Sequence, residues 1–216
     1  MKPSTRRALT ILFIVHVVIL ACATGAGPSS PVQFQDSFEN KNSGWDKVRT
    51  PEGITDYENG KYRILLTLEN ADVWANPGLK NLPKNVQVEV DATKQAGPDD
   101  NDYGIICRYQ NDQNFYFFVI SSDGYLGIGK VKDGNRQLVN RTEMPPSEVI
   151  NQGDDTNHLR ADCLDAKLDF YVNGQLVDSQ QESEYGTGDV GLIAGSFQLG
   201  GVDILFDNFT VTRVNP

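Results

Sequence analysis

The sequence predicts an all-β domain built as a two-sheet antiparallel jelly-roll β-sandwich, and three observations carry that expectation. Apolar and polar residues alternate along most of the chain, as in Val86, Val88, Val90 and Ala92 against Gln87, Glu89 and Asp91, the period of a half-buried strand. The dipeptides Asn59-Gly60, Asp123-Gly124, Asp133-Gly134 and Asn173-Gly174 punctuate these runs. Such pairs tolerate positive φ at both central positions and favour type I′ hairpin turns. No window of a dozen residues carries a capped 3.6-residue apolar stripe, and the best helical candidate, 146–152, is shorter than a typical globular helix.

The first element is a leader. Lys2, Arg6 and Arg7 precede an apolar run from Ala8 to Ala21 broken only by Thr10 and His16, the layout of a secretory signal. The run falls short of the roughly 20 residues needed to cross a bilayer. Its end, Ile19-Leu20-Ala21-Cys22, resembles a bacterial lipoprotein signal, although Leu20 departs from the small or β-branched residue preferred there. The expectation is a signal peptide over 1–21, a lipidated Cys22, and a Gly/Ser/Pro tether to residue 31. The competing account is ordinary cleavage near Ala21, Ala23 or Ala26. An exported chain held to the membrane on the extracytoplasmic side follows from the first.

Residues 32–216 then form one domain, with no repeat and no second linker. The whole chain carries 19 basic and 29 acidic residues for a formal charge of −10. Losing the three leader bases takes the domain to −13, which argues against nucleic acid as a partner.

Within the domain, NFYFFVISSDGYLGIGKVKDGNRQLV reads as a three-strand meander and LDFYVNGQLVDSQ as a hairpin. Residues 114–120 are apolar on both parities, with Phe115, Phe117 and Val119 on one and Tyr116, Phe118 and Ile120 on the other. Such a strand belongs near the centre of a sheet covered on both faces, or at a ligand-binding face. About a dozen strands without helices must close as a barrel or stack as two sheets. A jelly roll with a concave side satisfies both demands.

With Cys22 acylated, Cys107 and Cys163 are left. Each follows the apolar parity of its strand, Ile105-Cys107-Tyr109 and Leu159-Ala161-Cys163. In an oxidising compartment the expectation is a disulfide; two small buried thiols are the alternative.

Several segments together resemble the concanavalin A-like lectin/glucanase fold, in particular the laminin-G-like and 3-keto-disaccharide hydrolase-like domains of bacterial lipoproteins. They are QDSFEN with Gly44-Trp45, YENGKYRILL, GIICRYQNDQNFYFFVISSDGYLGIGK, NHLRADC, LDFYVNGQLV, GDVGLIAGSF and VDILFDNFTV. Their order and spacing carry the resemblance. It implies two antiparallel sheets whose first and last strands lie side by side. Function is implied less strongly, because this fold serves lectins, glycosidases, binding modules and spacers. It also implies a structural calcium ion near the paired termini, with Asp207 and Asp36 as carboxylates and carbonyls near Gly60 as helpers. Calcium needs six to eight oxygens, and Asp207 as a simple strand-end cap is the alternative.

Retaining glycosidases need two carboxyl groups about 5 Å apart. The laminarinase-like enzymes of this fold supply them as Glu-x-Asp-x-x-Glu. The nearest match here, Glu89-Val90-Asp91-Ala92-Thr93-Lys94, has Lys94 in place of the acid/base carboxylate, so that mechanism is not available from this strand. His158, the one histidine after the leader, lies on the polar parity with Arg160 and Asp162.

A candidate binding face gathers the residues opposite the apolar parities: Glu89, Asp91, Arg108, Tyr116, Arg160, Asp162 and Tyr171. Sugars are held by aromatic planes and bidentate polar groups, and this set offers both. The alternative is an outer face in which Arg108 and Arg160 pair with the carboxylates. The sequence reading is a tethered, non-catalytic glycan-binding module. Its rivals are a carbohydrate-active enzyme resembling the 3-keto-disaccharide hydrolases and an envelope spacer without a small ligand.

Overall fold

A computed structural model describes residues 31–215. The leader, Cys22 and nearly all of the tether lie outside the described residues. Fifteen strands follow in order: β1 Val32–Asp36, β2 Val48–Arg49, β3 Gly53–Glu58, β4 Lys61–Leu66, β5 Ala71–Ala75, β6 Val86–Ala96, β7 Asn101–Asn111, β8 Asn114–Ile120, β9 Leu126–Lys132, β10 Asn135–Leu138, β11 Asn157–Leu164, β12 Lys167–Val172, β13 Gln175–Gln181, β14 Asp189–Ser196 and β15 Asp203–Arg213. There is no helix among the described residues, and 146–152 is irregular chain whose Pro146 bridges to Tyr125.

The strands form two antiparallel sheets. The larger runs β13-β12-β11-β6-β15-β4-β3-β2, with β1 also paired to β15; the smaller runs β10-β9-β8-β7-β14-β5. The first and last strands do lie side by side, Asp36 opposite Phe209 and Val32 opposite Thr212. The meander appears as β8, β9 and β10 and the hairpin as β12 and β13.

Three of the four turn dipeptides take positive φ at both positions: Asn59 51° and Gly60 75°, Asp133 50° and Gly134 79°, Asn173 50° and Gly174 81°. Those are the dihedral signs of type I′ turns. At Asp123-Gly124 only the glycine does, with φ 97°. That connection is a wider loop closed by Gly124 N–H to the Ser121 carbonyl and Ser121 N–H to the Tyr125 carbonyl.

Alternation places Val86, Val88, Val90 and Ala92 of β6, Leu159, Ala161 and Cys163 of β11, and Tyr116, Phe118 and Ile120 of β8 in one buried core between the sheets. Cys107 of β7 and Cys163 of β11 are joined by a disulfide, with Cα atoms 7.0 Å apart. It therefore ties one sheet to the other through the core. At the end where the chain enters, Phe38, Trp45, Tyr62 and Phe209 stack at centroid distances of 4.8–5.5 Å. Asp36 anchors that cluster, accepting from Trp45 Nε1 at 3.0 Å, Phe38 N at 2.7 Å and the Ser43 hydroxyl.

One interruption redirects side chains. Arg108 has φ 53°, and the β7–β8 register shifts between Cys107 and Asn111. A bulge of this kind leaves one residue unpaired and bends the strand. Cys107 and Arg108 both become buried, and Tyr109 is carried to the outer face instead of the core its parity predicted.

Candidate functional site

The face read from the sequence is only partly assembled. Glu89, Asp91, Arg160, Asp162 and Tyr171 do share the outer face of the larger sheet, where Arg160 lies opposite both Glu89 and Tyr171. Its charges are matched from within. Arg160 donates to Asp162 through Nε at 2.8 Å and Nη2 at 2.5 Å, with its guanidinium 4.3 Å from the Tyr171 ring centroid. The Asp162 hydrogen bond raises the Arg160 pKa further. His158 Nδ1 meets Asp91 at 2.7 Å. This face is an ion-paired surface, the alternative the sequence left open.

Arg108 and Tyr116 are not part of it. Both belong to the smaller sheet, and both are buried, Arg108 at 2 % exposure. Arg108 donates to the carbonyls of Tyr185 at 2.9 Å and Lys84 at 3.4 Å, and burial lowers its pKa. The Tyr116 hydroxyl accepts from Tyr185 N–H at 2.9 Å, and burial pushes it up to about 12. The αL residue at 108 inverts the parity from which the face was read. Lys94 of the Glu-x-Asp-x-x-Lys run also turns inward, to Asp99 and to Asp154 at 3.0 Å.

For the metal expectation, Asp36 is occupied by the three donors named above, and Asp207 Oδ1 accepts from Asn208 N–H at 2.8 Å. Among the described residues no group of three or more His, Cys, Asp or Glu side chains gathers for a metal ion.

A different face carries more chemistry. β8 is apolar on both parities because its outward residues Phe115, Phe117 and Val119 join Ile106, Val131 and Ile193 in a second cluster on the outer face of the smaller sheet. Trp74, Tyr109, Leu138 and Met144 pack over it, each only partly buried. The Trp74 and Tyr109 rings flank Phe115 at 5.4 and 5.6 Å.

Across this face runs Arg136 from β10. Its guanidinium lies 4.5 Å from the Phe117 centroid and reaches two carboxylates, Asp72 at 2.9 Å and Asp102. Phe117 in turn lies over Gly129, where any Cβ would collide with its ring. Gly195 of β14 is opposite Asp72 of β5 on one side and Asp102 of β7 on the other. A Cβ at 195 would stand 2.7 Å from Asp72 Oδ1 and closer still to Asp102 Oδ1, so the glycine is what lets the two carboxylates converge. Burial, with Asp102 adding to it against the opposing Arg136 charge, pushes the Asp72 carboxyl up to about 6. Asp102 is 1 % exposed, and its Oδ1 has no hydrogen-bond partner.

Two cavities flank this charged centre. One of about 400 Å³ is lined by Trp74, Tyr109, Asp72, Asp46, Glu52 and Asp112 among others. The other, about 270 Å³, is lined by Asp102, Phe117, Arg136, Leu138, Met144 and Phe197 among others. Aromatic planes, carboxylate acceptors and a guanidinium donor on one surface suit a polyhydroxylated ligand, which offers both apolar faces and hydroxyls.

The sequence contained a signal for this face that its alternation pattern concealed. Gly104, Gly127, Gly129, Gly191 and Gly195 all fall on the outward parity of three strands, β7, β9 and β14. Glycine inside a strand marks a bulge or a close approach by another group.

No family model matches the sequence, and no curated protein matches it. Solved structures share the fold. A carbohydrate binding module CBM66 from Bacillus subtilis superposes with a TM-score of 0.52 at 18 % identity, covering 79 % of this chain and 96 % of that one. The Bacillus licheniformis beta-glucanase gives 0.59 at 12 % identity over 87 % of this chain and 100 % of the other. For a xylan beta-1,4-xylosidase from Bacillus halodurans C-125 the TM-score is 0.60 at 13 % identity; 83 % of this chain is covered, but it spans only 39 % of that enzyme. What these neighbours share with the chain is the fold, a jelly-roll β-sandwich of two antiparallel sheets.

Proposed function

We propose that this protein is a membrane-tethered, extracytoplasmic glycan-binding module whose ligand lies on the outer face of the smaller sheet. The observation that carries the proposal is the pair of partly exposed rings, Trp74 and Tyr109, beside the Asp72–Arg136–Asp102 centre. Buried aromatics stabilise a fold, whereas rings kept at the surface next to convergent polar groups supply a stacking platform with directional hydrogen bonds. Neighbours described as a carbohydrate binding module and as glycan-cleaving enzymes support the same class of ligand.

A non-catalytic role fits the carboxylates better than hydrolysis. A retaining pair must reach the sugar, and Asp102 is 1 % exposed while both acids are engaged by Arg136. The enzyme reading keeps one favourable observation, the raised Asp72 carboxyl next to a second acid. Release of reducing ends from an array-selected glycan, abolished in Asp72→Asn, would establish it.

The test of binding is a glycan array with the mature protein, followed by calorimetric titration. Trp74→Ala and Arg136→Ala should each weaken affinity about ten-fold or more, and Arg160→Ala on the opposite sheet should not. Equal binding by all four proteins would remove the proposed face. Tethering is tested separately, because an alkyne fatty acid should label wild type and not Cys22→Ser; equal labelling removes the anchor.

A further inference from the structure

The cavity of about 270 Å³ beside Arg136 joins a polar floor to apolar walls. Asp102 and Phe117 line it from below, both almost fully buried. Asp102 Oδ2 accepts from Arg136 Nη2, while its Oδ1 meets no hydrogen-bond donor. A buried carboxylate oxygen left in that state bears a desolvation cost that folded proteins rarely leave uncompensated. Asp102 therefore marks where this face still accepts an O–H.

The walls have the opposite chemistry. Leu138 and Met144 close over Gly127, where a Cβ would stand 2.8 Å from Leu138 Cδ2 and 3.2 Å from Met144 Cγ. Phe197 follows directly after β14, and all three side chains are only partly buried. Leucine and phenylalanine side chains carry no polar atom, and a thioether is a weak acceptor. The remaining lining residues, Gln137 and Thr142, are exposed to water. Met144 and Phe197 also wall a second cavity, about 290 Å³, that the exposed Tyr125 lines as well. A sugar ring seated beside Asp102 thus has space for its glycosidic continuation.

Two kinds of occupant fit this cavity badly. A wholly apolar group would seal the Asp102 oxygen from water without supplying a donor. A hexose hydroxylated at every carbon would press its hydroxymethyl group on the apolar wall, and that hydroxyl would lose its hydrogen bonds to water. A 6-deoxyhexose avoids both faults. It keeps ring hydroxyls for the acid and offers a methyl group to the wall.

We infer that this cavity is a subsite for a 6-deoxyhexose unit, with a ring hydroxyl donating to Asp102 and the C6 methyl group against Leu138, Met144 and Phe197. The inference rests on the glycan reading above and names the class of sugar.

The test is calorimetric titration of the mature protein with two matched pairs, methyl α-L-fucoside against methyl α-L-galactoside and methyl α-L-rhamnoside against methyl α-L-mannoside. Each pair differs only in the hydroxyl on C6. In at least one pair the 6-deoxy sugar should bind about ten-fold tighter than its twin, from the buried methyl group and the hydroxyl spared. Met144→Gln, which gives a hydroxymethyl group a partner, should shrink that preference to about two-fold or less. Asp102→Asn should weaken both members of the pair alike, and Arg160→Ala should change neither. Circular dichroism of each variant checks folding; Met144 is partly exposed, so its variant carries the test if Asp102→Asn unfolds. A preference unchanged in Met144→Gln would place the methyl group elsewhere and overturn the assignment. If neither 6-deoxy sugar exceeds its twin while glycans from the array still bind through Trp74, the inference fails and the glycan face stands. If methyl N-acetyl-β-D-glucosaminide is preferred over methyl β-D-glucoside in place of any 6-deoxy preference, the cavity takes an acetamido group and the 6-deoxyhexose falls. Binding of no glycan at all removes the inference together with the reading beneath it.

Discussion

Asp72 and Asp102, on strands that do not pair with each other, bring their carboxylates together above Gly195 of the strand between them. The arrangement needs a residue without a Cβ. Gly195→Ala should therefore cost about 1–3 kcal/mol, the range for overpacking a tight site, read as a lower denaturation midpoint with an unchanged slope. A neutral result would mean that the acids separate freely and that the glycine is not a spacer.

Two partly buried carboxyls make stability depend on pH. Asp72 and Asp189 are each raised from 3.8 to about 6, chiefly by burial. A carboxyl raised in the folded state holds its proton more tightly there than in the unfolded chain. Its contribution is complete below pH 3.8 and is lost as pH rises through 6. Between pH 5 and 7 the lowered carboxyls of Glu182 and Glu184 are already ionised and contribute little slope. The melting temperature should fall by about 2–4 °C across that interval, the size expected for a change on the order of 1 kcal/mol in a domain of this length. Asp72→Asn should fall less, and a slope identical to wild type would contradict the assignment.

The Cys107–Cys163 bridge closes a loop with a sequence separation of 56. In the chain-entropy model such a loop contributes about 4 kcal/mol. The Cys107→Ser, Cys163→Ser double variant should lose an amount of that order in chemical denaturation. Intact mass should rise by two protons on reduction of wild type. Two thiols alkylated in the native protein would refute the bridge.

Arg108 and Tyr116 should behave as structural residues. Arg108→Ala leaves the carbonyls of Tyr185 and Lys84 without their donor, and Tyr116→Phe leaves Tyr185 N–H without its acceptor. Each should cost about 2 kcal/mol, the usual penalty for an unsatisfied buried group, with glycan affinity unchanged in the folded fraction. Loss of affinity at full stability would return both residues to a binding role.

Much of the fold was legible because its determinants are local. Period-two alternation marked β6 and β12, an apolar run on both parities marked β8, and Asn-Gly or Asp-Gly pairs marked the hairpins at 59–60, 133–134 and 173–174. The inward phase of Cys107 and Cys163 was legible for the same reason. The proposed binding face was not, for two physical reasons. Arg108 adopts φ 53° without being glycine, asparagine or aspartate, so nothing in its neighbourhood announced that parity changes there. The Asp72–Asp102–Arg136 centre depends on β5, β14 and β7 being neighbours and on β10 reaching over β9 and β8. That is sheet order, which alternation within a strand does not encode. The in-phase glycines were visible, but a pattern read for apolar residues passes over them.

The place of β15 also governs the order in which the molecule can be made. This last strand is interior to the larger sheet, bonded to β6 along one side and to β4 and β1 along the other. It follows every other strand of the domain, so until it is in place the larger sheet stays in three unjoined pieces, β13-β12-β11-β6, β4-β3-β2 and β1. These pieces have only contacts distant in sequence to bring them together, the kind of topology that folds slowly. Until then the flanks of β6, β4 and β1 are open edges, and a chain truncated before Asp203 would keep them open for good, as templates for pairing with other chains.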